Sequence, residues 1–275
     1  MHFLNARIAT RSLAATGVAA LLAACSGGTS LSPTTNALVR ANLLAASGRS
    51  LPPGRHAVGG GWISAAAKSG SHVIYSGSYD DSTITIYPSK GINPPPIGTI
   101  TTGLTDPERL FVDKNLELYT TDEGSPTSIV VYKPGKTSPS LTITNGVNYP
   151  TGIAVGADGT VYCANTGNTT VTEYPKGKTA PSLTVSLGNE TPENLAVDGS
   201  NNLYIQYVGG SLGSGVIEVP PGKTSGTDLN LVIGSASALS VDKAGNIVII
   251  DQGDSSLDVF PAGKTTPSKT LALGG

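Results

Sequence analysis

The sequence has little charge, little histidine and almost no cysteine. Only 13% of its 275 residues are charged, three are histidine and two are cysteine. Its 17 basic and 19 acidic residues leave no positive excess, so the composition excludes the basic footprint expected of a nucleic-acid-binding protein. Glycine and proline are abundant instead, at 35 and 19 residues. A low-charge, turn-rich composition of this kind is typical of an exported all-β domain.

The N-terminus has the pattern of a targeting segment, which we assign to residues 1–24. Arg7 and Arg11 supply the positive region, and the apolar stretch Leu13 to Ala24 is too short to span a bilayer as a helix. The stretch ends in "LAAC", which resembles the lipobox of bacterial lipoproteins. The resemblance implies cleavage before Cys25 and lipidation of that residue. The alternative is an ordinary secretory signal with a chance cysteine.

Residues 25–54 are rich in small and polar residues and predict a flexible tether. The residue after the lipidation site is Ser26 and not an aspartate. By the same resemblance, this difference implies a location at the outer membrane or the cell surface of a bacterium. After removal of the leader, the chain contains two cysteines, Cys25 and Cys163. Once Cys25 carries lipid, only the Cys163 thiol is left, so no intramolecular disulfide can form. Cys163 lies in the strand-like stretch "TVYCAN", which favours a buried, inert thiol over a catalytic one.

The remaining chain, residues 55–275, repeats one unit every 42 to 46 residues. Clear copies are "LFVDKNLELYTTD", "IAVGADGTVYCAN", "LAVDGSNNLYIQY" and "LSVDKAGNIVIID", and "SAAAKSGSHVIYS" is a weaker one. A period of this length containing only strand signals predicts one four-stranded antiparallel blade of a β-propeller per repeat. Five blades are visible, and six-bladed closure is the alternative. Equivalent positions in the copies are Ala67, Asp113, Gly156, Asp198 and Asp242.

The tripeptide Gly-Lys-Thr occurs four times and at first suggests a phosphate-binding loop. That loop needs a glycine where Val130 stands in the first copy, and a helix must follow it. The residues that follow favour a strand, and one phosphate site does not need four copies. We therefore predict a turn between the third and fourth strands of each blade, and no nucleotide ligand. The lysines are Lys136, Lys178, Lys223 and Lys264.

Polar residues recur at two other places in the repeat. Asp122, Asn165 and Asp251 end the second strand, and aspartates open the turn between the first and second strands. Because Asp and Asn side chains bond neighbouring backbone groups, this recurrence predicts capping and not a site.

The repeats resemble the NHL group of β-propellers. The resemblance is carried by "PTGIAVGADGTVYCAN" and "PENLAVDGSNNLYIQY", and it covers Trp62 to Gly275. It implies the propeller fold but says little about function, because this architecture hosts enzymes, receptors and scaffolds.

One enzyme group of this architecture, the gluconolactonase-like hydrolases, offers a specific alternative. The resemblance implies a divalent cation such as calcium held at the axis by Glu, Asn and Asp side chains. The residues here at the corresponding strand starts are Glu108, Glu193 and Asn194. The other interpretation is two solvated carboxylates at a loop edge.

A contact surface is the last candidate. Trp62 precedes the first inner strand, and Tyr204 and Tyr207 lie beside the glycine-rich insertion "YVGGSLGSG". The sequence thus favours a lipid-anchored envelope protein that binds an unknown protein or glycan, with no catalytic residue and no cofactor. A metal-dependent hydrolase is the alternative.

Overall fold

The computed structural model describes residues 62–63, 73–209 and 213–273. The predicted signal peptide, Cys25 and the tether lie outside this part of the chain, and so does most of the first inner strand expected near Ser64. Within the described part, strands dominate and the only helical element is one 3₁₀ turn, η1 (Thr166–Asn168). The same residues contain no helix with the length and apolarity needed to cross a membrane.

The described residues form five four-stranded antiparallel sheets, the blades of a β-propeller, which confirms the predicted fold class. The first contains β1 (Trp62–Ile63), β2 (Val73–Ser78), β3 (Thr83–Pro88) and β4 (Gly98–Ile100). The second contains β5 (Pro107–Val112), β6 (Leu118–Asp122), β7 (Ser128–Tyr132) and β8 (Leu141–Ile143). The third contains β9 (Pro150–Val155), β10 (Val161–Asn165), β11 (Thr170–Tyr174) and β12 (Leu183–Ser186). The fourth contains β13 (Thr191–Val197), β14 (Leu203–Gly209), β15 (Gly213–Val219) and β16 (Thr227–Asp228). The fifth contains β17 (Ala236–Val241), β18 (Ile247–Asp251), β19 (Ser256–Phe260) and β20 (Lys269–Ala272).

The last four sheets follow the predicted order, with each strand next to its sequence neighbour. The first sheet differs. Its order is β1-β4-β3-β2, so Trp62 and Ile63 pair with Thr99 and Gly98 at the edge opposite β2. β1 therefore extends this sheet beyond β4, while the inner strand expected to follow Trp62 lies outside the described residues.

The described chain divides into two compact units, with the boundary after Thr144. The first unit holds the first two sheets. Between them lies a core of aliphatic residues from both sheets and one tyrosine, Tyr132. Burying one such aliphatic side chain stabilises the fold by about 1.5–3 kcal/mol. The aliphatic members are Ile84, Ile86, Ile100, Leu110, Leu118 and Val130.

The second unit holds the last three sheets and two cores. One core lies between the third and fourth sheets and includes Val171, Val185 and Ile205. The other lies between the fourth and fifth sheets and includes Ile249 and Phe260. In four sheets the third strand ends in a large side chain, and this side chain is fully or almost fully buried. These residues are Tyr132, Tyr174, Val219 and Phe260.

The Gly-Lys-Thr segments form the predicted turns. In each, the lysine N–H donates to the carbonyl three residues earlier, at 2.9–3.1 Å, and the lysine side chain is exposed. The preceding glycine has φ between 67° and 71°, as the third position of a type II turn requires. These glycines are Gly135, Gly177, Gly222 and Gly263.

The predicted aspartate caps are also confirmed. Asp198 Oδ1 accepts the N–H groups of Ser200 and Asn202, both at 2.8 Å, inside the turn between the first two strands of its sheet. Asp113 and Asp242 make the same pair of bonds in their own turns. The equivalent position in the third sheet is Gly156, whose turn is held by Asp158 instead.

Candidate functional site

The candidate site is the start of the inner strands, where the ladder is interrupted at the same place in four sheets. In each, the pairing between the first and second strands shifts register just after the first strand begins. Such a bulge re-aims the extra side chain away from the regular pleat. The residues at this position are all half-buried, and they are glutamates in two sheets and hydroxyl residues in the other two. They are Glu108, Thr151, Glu193 and Ser237.

In the second unit, the predicted residue Asn194 links three strands. Its Nδ2 donates to Gln206 Oε1 on β14 at 2.5 Å and to the Ser237 carbonyl on β17 at 3.3 Å. Gln206 is fully buried and donates in turn to the Tyr207 carbonyl at 3.3 Å. The amide of Asn194 therefore serves a polar network that joins the fourth and fifth sheets.

Next to it, two hydroxyls join the third and fourth sheets. Thr151 Oγ1 and Thr166 Oγ1 lie 2.5 Å apart, and both reach the Pro192 carbonyl, at 3.3 and 3.2 Å. Beside the Glu193 carboxylate, the inner-strand ends of this unit thus carry uncharged hydrogen-bonding groups at half-buried positions.

The expected cation ligands do not assemble into a metal site in the described part of the chain. There, no group of three or more His, Cys, Asp or Glu side chains is placed to hold an ion. Glu193 and Asn194 together offer one carboxylate and one amide oxygen, whereas calcium takes six to eight oxygens. Glu108 belongs to the other unit. Within the second unit, Glu193 and Asn194 alone therefore do not fit the cation that the hydrolase resemblance implies.

Glu108 has different neighbours, in a carboxylate cluster that the sequence did not reveal. Glu123 follows the end of β6, and burial raises its pKa, with the carboxylates of Glu108 and Asp106 adding to the rise. The guanidinium of Arg109 opposes it, and the Tyr79 hydroxyl is hydrogen-bonded to Glu123. The signal lay in three separate loops, so no local motif could show it.

The structure overturns the predicted contact surface at Tyr204 and Tyr207. Their side chains are only 4% and 2% exposed. Tyr204 contributes to the core between the fourth and fifth sheets. Tyr207 donates its hydroxyl to the Asp228 carboxylate, and burial, together with that bond, raises the pKa of Tyr207. Both are structural residues of the fourth sheet.

Cys163 is fully buried on β10, as predicted. Burial raises the pKa of its thiol well above the ordinary value. A thiol of this kind is protonated at neutral pH and unreactive.

The exposed aromatic residue of this unit is one that sequence reasoning missed. Tyr149, immediately before β9, is 60% exposed and adopts φ 47°. A bulky residue with positive φ is rare and marks a turn or a strained site. The available signal was its position just before the proline that opens the inner strand.

The sequence matches no protein-family model, and comparison with curated proteins finds no match either.

Proposed function

We propose that this protein is an exported, lipid-anchored β-propeller of the bacterial cell envelope that acts as a binding or scaffold module. The anchor is argued from the leader, the "LAAC" sequence and the tether. The binding role is argued from the inner-strand ends.

The observation that carries the binding role is the bulge position. Four sheets share one frame, yet the residue re-aimed by the bulge is a carboxylate in two of them and a hydroxyl in the other two. A constant frame that presents varied, half-buried polar groups suits recognition of a partner, since a few placed polar groups provide specificity at a binding site.

Anchoring is tested by Cys25→Ser. The variant should lose incorporation of labelled fatty acid and move from the membrane to the soluble fraction, while the folded domain keeps its melting temperature. Membrane retention without lipid would contradict the lipoprotein assignment.

Binding is tested by site-specific photocrosslinking in the cells that make the protein. A photoreactive amino acid at Thr151 or Ser237 should give a discrete crosslinked species. The matched control is Thr184, an exposed position on the outer strand β12. Crosslinks that are equally frequent from Thr184, or absent from Ser237, would refute a recognition role for the inner-strand ends.

A hydrolase is the second candidate, and the carboxylate cluster of the first unit favours it. A carboxyl with a raised pKa beside two other carboxylates can act as a general acid or base. Hydrolysis of a lactone panel that is lost in Glu123→Gln, and unchanged in Glu173→Gln, a variant at another half-buried glutamate, would support this candidate over the binding module. The Glu173 carboxylate accepts a hydrogen bond from Ser182, so its loss is local to the third sheet.

A further inference from the structure

Tyr149 departs in backbone conformation from the equivalent residues of the second and fifth sheets, and the cap of its loop differs as well. In the second sheet, Asp122 accepts two consecutive loop N–H groups, from Thr105 at 2.7 Å and from Asp106 at 3.1 Å. In the fifth sheet, Asp251 does the same for the equivalent pair of residues. A carboxylate can do this because it has two acceptor oxygens.

The third sheet has an amide at this position. Asn165 Oδ1 accepts the N–H of Asn148 at 3.0 Å, and its Nδ2 donates to Thr172 Oγ1 at 3.0 Å. An amide has no second oxygen for the next N–H, which is that of Tyr149. Tyr149 adopts positive φ, whereas its equivalents Asp106 and Ser235, whose N–H groups are capped by a carboxylate, do not.

This conformation costs about 1–2 kcal/mol for an L-residue other than glycine. It is nevertheless held in place. The Tyr149 carbonyl accepts the Thr166 N–H at 3.1 Å, and the Tyr149 ring lies over Gly167. A Cβ on Gly167 would stand 2.9 Å from Tyr149 Cδ2, so the absent side chain makes room for the ring. The result is an aromatic ring that is both exposed and supported.

Three uncharged polar side chains lie near this ring. The Asn148 side chain lies beside Gly167, and the hydroxyls of Thr166 and Thr151 are adjacent on the side toward β9 and β13. A sugar ring presents a C–H face that packs on an aromatic ring, and its hydroxyls both donate and accept hydrogen bonds, as amide and hydroxyl side chains do.

We propose that Tyr149, with Asn148 and Thr166, forms a binding site for a neutral carbohydrate. This inference rests on the proposed binding function and names its ligand class. Tyr149 would stack on the sugar ring, and the Asn148 amide and the Thr166 hydroxyl would form hydrogen bonds with the hydroxyl groups of the sugar. Because the ring is already seated over Gly167, little conformational freedom is lost on binding.

The probes are neutral oligosaccharides of glucose, galactose, mannose and N-acetylglucosamine on an array, with calorimetric titration of each sugar that binds to the full-length protein in detergent. We expect saturable binding of at least one. Tyr149→Ala should weaken it about tenfold or more, and Tyr149→Phe should change it less than about threefold, because stacking does not need the hydroxyl. Val232→Ala, another exposed apolar position of this unit, is the matched control and should bind as the wild type does.

A second variant tests the cause of the conformation and leaves the ring unchanged. Asn165→Asp restores the second acceptor oxygen and should draw the Tyr149 N–H into the cap, so sugar binding falls while Tyr149 is intact. A thermal melt and a circular dichroism spectrum establish that this variant is folded. If it is not, Gly167→Ala replaces it, since the added methyl would collide with the Asn148 amide and with the Tyr149 ring, two members of the proposed site.

The proposal is overturned if no neutral oligosaccharide binds, if Tyr149→Ala binds as tightly as the wild type, or if a folded Asn165→Asp or Gly167→Ala retains full affinity. It is also overturned if Tyr149 binds a proline-rich peptide and no sugar. None of these results removes crosslinking from Ser237, so failure of this inference is distinguishable from failure of the proposed function.

Discussion

Asp251 offers the sharpest test of how the repeat is held together. It ends β18 and is fully buried. Its Oδ2 accepts the Gly234 N–H at 2.5 Å, and its Oδ1 accepts the N–H groups of Ser235 and Gly253, both at 2.8 Å. One carboxylate therefore ties the loop before β17 to the loop after β18.

The cost of Asp251→Ala follows from these three bonds. A hydrogen bond to a charged group contributes about 1.5–3 kcal/mol, so complete loss of three would cost up to about 9 kcal/mol. The donors belong to exposed residues, however, and water can replace part of the lost bonding. We expect a destabilisation of about 3 kcal/mol, which lowers the melting temperature by about 6–12 °C for a domain of this size. Asp251→Asn keeps one acceptor oxygen, as Asn165 does naturally, and should cost less than Asp251→Ala.

The effect should depend on pH in a defined direction. Burial alone would raise the pKa of Asp251, but the backbone N–H groups of Gly234, Ser235 and Gly253 outweigh it and hold this pKa below its ordinary value. A folded-state pKa below the unfolded value of about 3.9 means that the carboxylate stabilises the fold above that pH. This stabilisation is lost as the pH falls through the folded-state pKa, so the difference between wild type and Asp251→Ala should shrink in acid.

Chemical denaturation at pH 7 and at about pH 2.5 measures both quantities, with Asp254→Ala as the control for an exposed aspartate in the same loop. The reasoning fails if Asp251→Ala costs no more than Asp254→Ala at pH 7. It also fails if the deficit of Asp251→Ala is undiminished in acid.

Three further predictions concern the turns, the thiol and the cation. Each exposed turn lysine replaced by alanine should change stability by less than about 0.5 kcal/mol, whereas Gly135→Val should cost at least about 1 kcal/mol because φ is 67° there; parallel melts of both variants check this. Cys163 should resist a thiol reagent in native protein and react after unfolding, because its thiol is buried and its pKa is raised; rapid native labelling would contradict that burial. Chelation should change the melting temperature little, whereas a resident cation at a hundred-fold excess over its Kd would add about 2.7 kcal/mol; a large drop abolished by Glu108→Ala or Glu193→Ala would restore the metal-dependent interpretation.

Local features of the fold were predictable from sequence because local chemistry determines them. The third repeat was expected to have strands starting at Gly152, Val161, Thr170 and Ser182, and the observed strands begin within two residues of each. Turn glycines and aspartate caps depend on bonds between residues close in the chain, so their pattern survives in the sequence.

Features that depend on contacts between distant segments were not predictable. The pairing of β1 with β4 joins residues more than thirty positions apart, and Trp62 gave no local sign of it. The cluster around Glu123 combines a strand end, a loop and an inner-strand start, each of which looked like an ordinary solvated carboxylate. Resemblance suggested Glu108 as a metal ligand, but its observed neighbours are other carboxylates and Arg109.

The error at Tyr207 has a specific physical origin. Tyr207 was predicted to be a contact residue because it lies beside the glycine-rich insertion. Its cross-strand partner, however, is Gly215, and a Cβ on Gly215 would collide with the Tyr207 ring. The missing side chain lets the ring lie across β15 and reach Asp228. Gly215 is present in the sequence, but only the strand register shows that it lies opposite Tyr207.

The same two kinds of sequence change therefore accompany Tyr149 and Tyr207. In each case a polar cap is changed from the aspartate of the second and fifth sheets, and a glycine nearby makes room for an aromatic ring: Gly167 for Tyr149, Gly215 for Tyr207. The outcomes differ because Gly215 lies on the adjacent strand, which places the ring inside the sheet, whereas Gly167 lies in the loop after β10, which leaves the ring in solvent. An inward ring stabilises the fourth sheet, while an outward ring costs strain and contributes little burial. The repeats thus act as an internal alignment, and Tyr149 is a costly exception at which a role outside folding is expected.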